Sequence, residues 1–142
     1  LDVTTQAEIL ALIKDIKREI GMSLVLISHD LGVVSSLCER VFVMYGGYTI
    51  ETGQRQKMLS TPMHPYTQAL IHAARSVRGP DGKFVTLSGD IAPGLGGRDG
   101  CPFAPRCAVV TAKCSEAMPM PSRANDNAQH LVRCYRQLQG SV

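Results

Sequence analysis

The sequence predicts a mixed α/β fold: a helix feeding a short buried strand, then an antiparallel hairpin, then a loop-rich segment that holds most of the cysteines. Three observations carry this. Ile9, Leu12, Ile13, Ile16 and Ile20 recur on one face of a 3.6-residue period. Leu24-Val25-Leu26-Ile27 is an unbroken apolar run with two β-branched residues, the pattern of a strand covered on both faces. Gly46-Gly47 separates two further strand-like runs, as a tight hairpin turn requires.

The elements follow in order. A helix is expected over about 4–20, with Thr5-Gln6-Ala7-Glu8 fitting a capping box and Gly21 a C-terminal stop. The strand at 24–27 comes next, and helix followed by strand is half of a βαβ unit, which implies a parallel sheet. A short helix is expected over about 31–39, with Cys38 as a small apolar core residue. Val41–Tyr45 and Tyr48–Glu51 form the hairpin, closed by Gly53. A helix covers 54–60. Pro65 then opens another that runs to about Ser76, with Tyr66, Ala69, Leu70 and Ala73 on one side. From Arg78 to about Arg98 glycine and proline dominate, so this stretch reads as linker, with at most a short strand at Phe84–Leu87. Residues 99–142 have almost no hydrophobic periodicity and should not fold alone without a staple.

Composition narrows the function. The 142 residues are 44% hydrophobic and 19% charged, ordinary for a globular domain. The net charge of +3 is small and the basic residues are scattered, which argues against nucleic acid as a partner. No apolar run reaches the roughly 18 residues of a membrane span.

Two groups of residues could carry chemistry. Ser28-His29-Asp30 follows the apolar run, and in open α/β sheets ligands sit beyond the carboxyl ends of strands. An imidazole there can donate a hydrogen bond to phosphate; it can equally be a turn residue. His64, between Pro62 and Pro65 at a helix start, reads as a capping or packing residue. The second group is Cys101, Cys107, Cys114 and Cys134, separated by five, six and nineteen residues. Disulfides would fit an oxidising compartment. A metal site would supply the binding energy that the core-poor segment lacks. The tight Cys-x(2–4)-Cys knuckles of structural zinc are absent, and wider loops suit a larger body such as an iron–sulfur cluster. Arg106, Lys113 and Arg133 neighbour these cysteines and could offset thiolate charge; His130 is a fifth candidate, read as structural.

Several of these motifs resemble one family. Leu24–Asp30 resembles the switch-histidine strand of ABC-transporter ATPases, and Leu1-Asp2 the end of their D-loop. The hairpin Met44–Gly53 resembles the element that follows the switch histidine. Thr61-Pro62-Met63-His64-Pro65-Tyr66-Thr67-Gln68-Ala69-Leu70 resembles the corresponding element of the oligopeptide, dipeptide and nickel importers. The Cys101–Cys107 run, Cys114 and the His130–Cys134 ending resemble the C-terminal extension of peptide-importer ATPases, some of which bind an iron–sulfur cluster there. The resemblance covers nearly the whole chain and is weakest over 78–98. It departs from the family at Ala108, where a proline is usual, and in the linker Ala92-Pro93-Gly94-Leu95-Gly96.

The resemblance implies the C-terminal part of a P-loop NTPase (ABC ATPase) domain over 1–77, a linker over 78–98 and a cysteine-containing extension over 99–142. It implies ATP and Mg2+ in the intact domain and a 4Fe-4S cluster, with zinc as alternative, on Cys101, Cys107, Cys114 and Cys134. His29 would contact the γ-phosphate, and Asp2 would span the interface with a second ATP-binding subunit. Transmembrane permease subunits would be further partners, at the cytoplasmic face of the membrane. The sequence contains no Gly-x-x-x-x-Gly-Lys-Ser/Thr loop, family signature or apolar run ending in Asp-Glu, so it reads as the C-terminal piece of a longer protein, inactive alone. The rival readings are a non-catalytic metal-binding interaction module and a small secreted disulfide protein.

Overall fold

The computed structural model describes residues 3–75, 99–124 and 127–137. Asp2 and the expected strand at 84–87 lie outside them. The chain divides into two units, the first ending at Glu39 and the second beginning at Arg40. The 78–98 linker marked by composition lies outside the described residues.

The first unit starts with α1 (Val3–Ile20). Its period is the one expected, but Thr5 already lies inside the helix and does not cap it. Gly21 does end it: at φ +68° its N–H reaches back to the Lys17 carbonyl at 3.1 Å, a left-handed stop that other residues adopt only with strain. Residues 22–28 carry no regular secondary structure, and the expected strand does not form. No ladder joins 24–27 to any strand among the described residues, and Val25 and Ile27 are 90% and 95% exposed. A parallel strand needs neighbours beside it in the sheet. The sheet among the described residues is antiparallel and lies entirely in the second unit. α2 (Leu31–Leu37) follows and buries Val33 and Leu37. Cys38 is its half-buried C-terminal cap rather than a core residue.

The second unit is built on a four-stranded sheet in the order β1-β2-β4-β3. β1 (Arg40–Tyr45) and β2 (Tyr48–Gln54) pair antiparallel through Gly46-Gly47, whose φ values of +56° and +86° make the expected tight turn. β2 runs past Gly53, where the sequence suggested an end. α3 (Arg55–Ser60) and α4 (Pro65–Arg75) follow as expected, with Pro65 in the first turn. Thr67 and Ile71 are the buried residues of α4, not the Tyr66–Ala73 set.

The cysteine-bearing segment contains two strands that periodicity did not reveal. β3 (Ser122–Ala124) and β4 (Asn127–Val132) pair with each other, and β4 joins β2 through Glu51 opposite Val132 and Thr52 opposite Leu131. The segment therefore borrows a sheet edge from the hairpin. Met63, Ala124 and Val132 form the buried core between them, with Cys134 packed against it.

Candidate functional site

Two places hold the residues singled out by chemistry, one in each unit. In the first unit, the Ser28-His29-Asp30 turn is fixed by its outer members. The Asp30 backbone N–H donates to Ser28 Oγ at 3.0 Å. The Asp30 carboxyl caps α2, accepting from the Gly32 N–H at 2.7 Å and the Val33 N–H at 3.3 Å. It also accepts from Gln6 Nε2 at 3.2 Å. The Val33 N–H first, then Gln6 and Gly32, hold that carboxyl below its ordinary range. His29, between the two anchors, is exposed. It sits in a bend at the end of an irregular segment, not at the end of a paired strand. The arrangement presents an imidazole to solvent on a turn whose flanking side chains are already committed.

In the second unit, Glu51 gathers three separate stretches of chain. It is 1% exposed. Its Oε1 accepts the Met63 N–H at 2.8 Å and its Oε2 the His64 N–H at 2.9 Å. His130 Nε2 lies 2.7 Å from Oε1. A buried carboxyl is tolerable only with such partners. It also sits at the N-terminal end of α4, where negative charge is favoured. Nothing in the local sequence marks this role, because β2 carries Thr49, Thr52 and Gln54 beside Glu51 and its partners lie far along the chain. His130, the fifth ligand candidate, is turned to Glu51 and is not among the residues that line the cysteine pocket.

His64 is the residue before Pro65 and caps α4. Its ring Nδ1 accepts the Tyr66 N–H at 3.1 Å. Burial lowers its pKa to about 4, against a weaker opposing effect of Glu51. The imidazole is thus neutral at physiological pH. Its ring stands 6.0 Å from that of Phe103, which packs in turn against Tyr45 and Tyr66, both at 5.3 Å between ring centres. This aromatic group ties the hairpin and α4 to the cysteine loop.

Cys101, Cys107, Cys114 and Cys134 line one pocket, together with His64, Phe103, Arg133 and Arg136. All five cysteines of the chain are free in this structure. Local backbone geometry serves three of the four sulfurs. Cys101 Sγ faces the N–H groups of Phe103 and Ala104, and Cys107 Sγ that of Val109. The Arg136 N–H donates to Cys134 Sγ at 3.3 Å. The loop closes on itself where the Cys101 N–H meets the Cys114 carbonyl at 2.7 Å. Backbone donors favour the thiolate form, but burial outweighs them: it raises Cys101 and Cys107 and pushes Cys134 up to about 11. Arg133 lines the pocket as the sequence suggested, and Arg136 joins it. Arg106 donates instead to the Tyr45 hydroxyl at 3.3 Å.

Among the described residues, no three His, Cys, Asp or Glu side chains are gathered to share a metal ion. With Zn–S bonds of about 2.3 Å, one zinc would require the sulfurs within roughly 4 Å of each other. The pocket holds about 10 Å³ of water-accessible space, room for one water. The four thiols are chemically suited to a thiolate-bound group, but the pocket as it stands has no room for one.

Residues 50–114 match the family described as the oligopeptide/dipeptide transporter, C-terminal region. A Brucella abortus protein named as a peptide import ATP-binding protein is 40% identical over 128 residues, covering 90% of this chain and 39% of its own length. The oligopeptide transport ATP-binding protein OppD of Haemophilus influenzae is 38% identical over 135 residues, 95% of this chain and 41% of its own. The dipeptide transport ATP-binding protein DppF of the same organism is 38% identical over 136 residues, again 95% and 41%. The chain thus spans about two fifths of the length of the curated relatives it matches. No helix among the described residues is long and apolar enough to cross a membrane. The chain is similar to the peptide-importer ATP-binding proteins over about two fifths of their length, and its residues 50–114 match the oligopeptide/dipeptide transporter C-terminal region.

Proposed function

We propose that this chain is the C-terminal part of an ATP-binding subunit that couples ATP hydrolysis to uptake of oligopeptides or dipeptides. The observation that carries the reading is the 38–40% identity to importer ATP-binding proteins over nine tenths of the chain. The exposed His29 on its capped turn is compatible with it. In an assembled nucleotide site supplied by other segments, His29 donates a hydrogen bond to the γ-phosphate and keeps phosphate and water in register. Positioning and electrostatics supply most of the catalysis in phosphoryl transfer. The resemblance of Leu1-Asp2 to a D-loop assigns Asp2 to the interface with a second ATP-binding subunit, and permease subunits are the membrane partners, at the cytoplasmic face. ATP and Mg2+ are the cofactors of the intact protein. The 142 residues alone hydrolyse no ATP, since they contain no phosphate loop.

Cys101, Cys107, Cys114 and Cys134 are the ligand set of an iron–sulfur cluster that staples the cysteine segment. Support comes from four free thiols on one pocket, backbone N–H groups aimed at three of them, and two arginines to offset charge. Zinc on the same four thiols is the alternative. The rival reading, a stand-alone metal-binding module, finds no support in relatives that are named as ATP-binding proteins.

The test is His29→Ala in the full-length subunit assembled with its permease partners. ATP hydrolysis should fall by about 10²-fold or more while nucleotide binding persists. Hydrolysis within twofold of wild type would remove His29 from the site.

A further inference from the structure

Two stretches of the cysteine segment touch along their backbones. The Cys101 N–H donates to the Cys114 carbonyl at 2.7 Å. Gly100, just before, is packed so closely there that a Cβ on it would stand 2.4 Å from the Cys114 carbonyl oxygen and 2.8 Å from the Ser115 carbonyl carbon. Only a residue without a side chain permits that approach. A backbone hydrogen bond of this length sets the two Cα atoms roughly 5–6.5 Å apart, within the span of about 4.4–6.8 Å that a disulfide bridges. Both cysteines line the same pocket, whose water-accessible space of about 10 Å³ leaves little between its walls. A thiolate-bound metal needs several ligands gathered at once, whereas a disulfide needs two.

We propose that Cys101 and Cys114 are a redox-active dithiol that exchanges with a small disulfide such as oxidised glutathione. The step concerns the metal-free chain and does not rest on the ligand reading. Cys101 is half-buried and Cys114 is only 8% exposed, so the Cys101 thiolate attacks first. It forms a mixed disulfide and expels one glutathione thiolate. Cys114, whose sulfur lies 3.3 Å from the Thr111 hydroxyl, then attacks the Cys101 sulfur and expels the second. Two thiols become one disulfide, their two electrons reduce the glutathione disulfide, and the two cysteine protons pass to the released thiolates. The ring so closed, from 101 to 114, carries Phe103, which packs on Tyr45 and Tyr66. Oxidation thus locks the loop that ties the hairpin to α4 and takes two of the four thiols out of the pocket.

The experiment equilibrates the 142-residue chain, stripped with chelator, in a glutathione redox buffer and maps its disulfides by peptide mass spectrometry after alkylation. Wild type should show Cys101–Cys114 as its dominant intramolecular bond, with Cys107 and Cys134 alkylated. Cys114→Ser should leave Cys101 as a mixed disulfide with glutathione. Gly100→Ala keeps every thiol but forces the two stretches apart, so its equilibrium constant for closing the bond should fall about tenfold or more. Cys107→Ser should close the bond as wild type does, and carries the test should Gly100→Ala not fold. Cys101 joined to Cys107 or Cys134 as often as to Cys114, or wild type with mixed disulfides alone, would overturn the proposal. So would a folded Gly100→Ala chain that closes the bond as readily as wild type.

Discussion

Glu51 on β2 and His130 on β4 meet at 2.7 Å across the sheet, both almost fully buried. The same carboxyl holds the two backbone N–H groups that precede α4. One side chain thereby fastens the hairpin, the start of α4 and the strand that leads to Cys134. Whichever partner of the pair holds the proton, removing either leaves buried polar groups without a bond.

Glu51→Ala should therefore destabilise the second unit by about 3–5 kcal/mol, the usual cost of orphaning a buried hydrogen-bonded charge partner. Urea unfolding followed by circular dichroism measures this. A loss under about 1 kcal/mol would show that water or rearrangement satisfies the three donors.

His64 makes stability depend on pH. Its pKa is about 4 in the folded chain and 6.5 when unfolded. Between these values the unfolded chain binds more protons, so stability falls as pH drops from about 6.5 to 4. The His64 contribution across that window is about 3 kcal/mol at 1.36 kcal/mol per unit. Other groups titrate there too, so the measurement is the difference between wild type and His64→Asn at pH 7 and pH 4.5. A difference that does not change with pH would contradict the buried neutral ring.

Cys134 in the metal-free chain should alkylate slowly. With its pKa near 11, about a hundredfold less thiolate is present at pH 7 than for an ordinary thiol. Higher intrinsic nucleophilicity offsets part of this, leaving roughly a tenfold deficit in rate. Iodoacetamide labelling read by peptide mass spectrometry, native against unfolded in chelator, checks it. Equal rates in the two states would place the sulfur in water.

Much of the local structure was legible. The period of Ile9–Ile20, the Gly46-Gly47 turn and Pro65 each encode an element through residues close in sequence, and α1, the hairpin and α4 form where expected. The failures are non-local. Leu24–Ile27 has the composition of a central strand, but a strand exists only beside others, and none among the described residues pairs with it. β4 was missed for the opposite reason: Asn127–Val132 has little apolar patterning, and Glu51 and the Ile50 carbonyl recruit it across the sheet. The cysteines were legible by residue type and spacing. Glu51 was not, because its partners at 63, 64 and 130 are assembled only by folding. His64 was read correctly as a cap, whereas the tautomer that follows from capping became visible only in the hydrogen bond to Tyr66.

The separation of 79 positions between Glu51 and His130 also bears on biosynthesis. Contacts so distant along the chain are slow to form, because the intervening loop must close before they reward it. On a ribosome, the hairpin and α4 emerge well before β4 does, and until then the Glu51 carboxyl lacks its imidazole and Cys101, Cys107 and Cys114 lack Cys134. Completion of the thiol pocket thus waits on translation past Cys134. A nascent chain stalled short of residue 130 would expose an open sheet edge to its neighbours, a recognised hazard for misassembly.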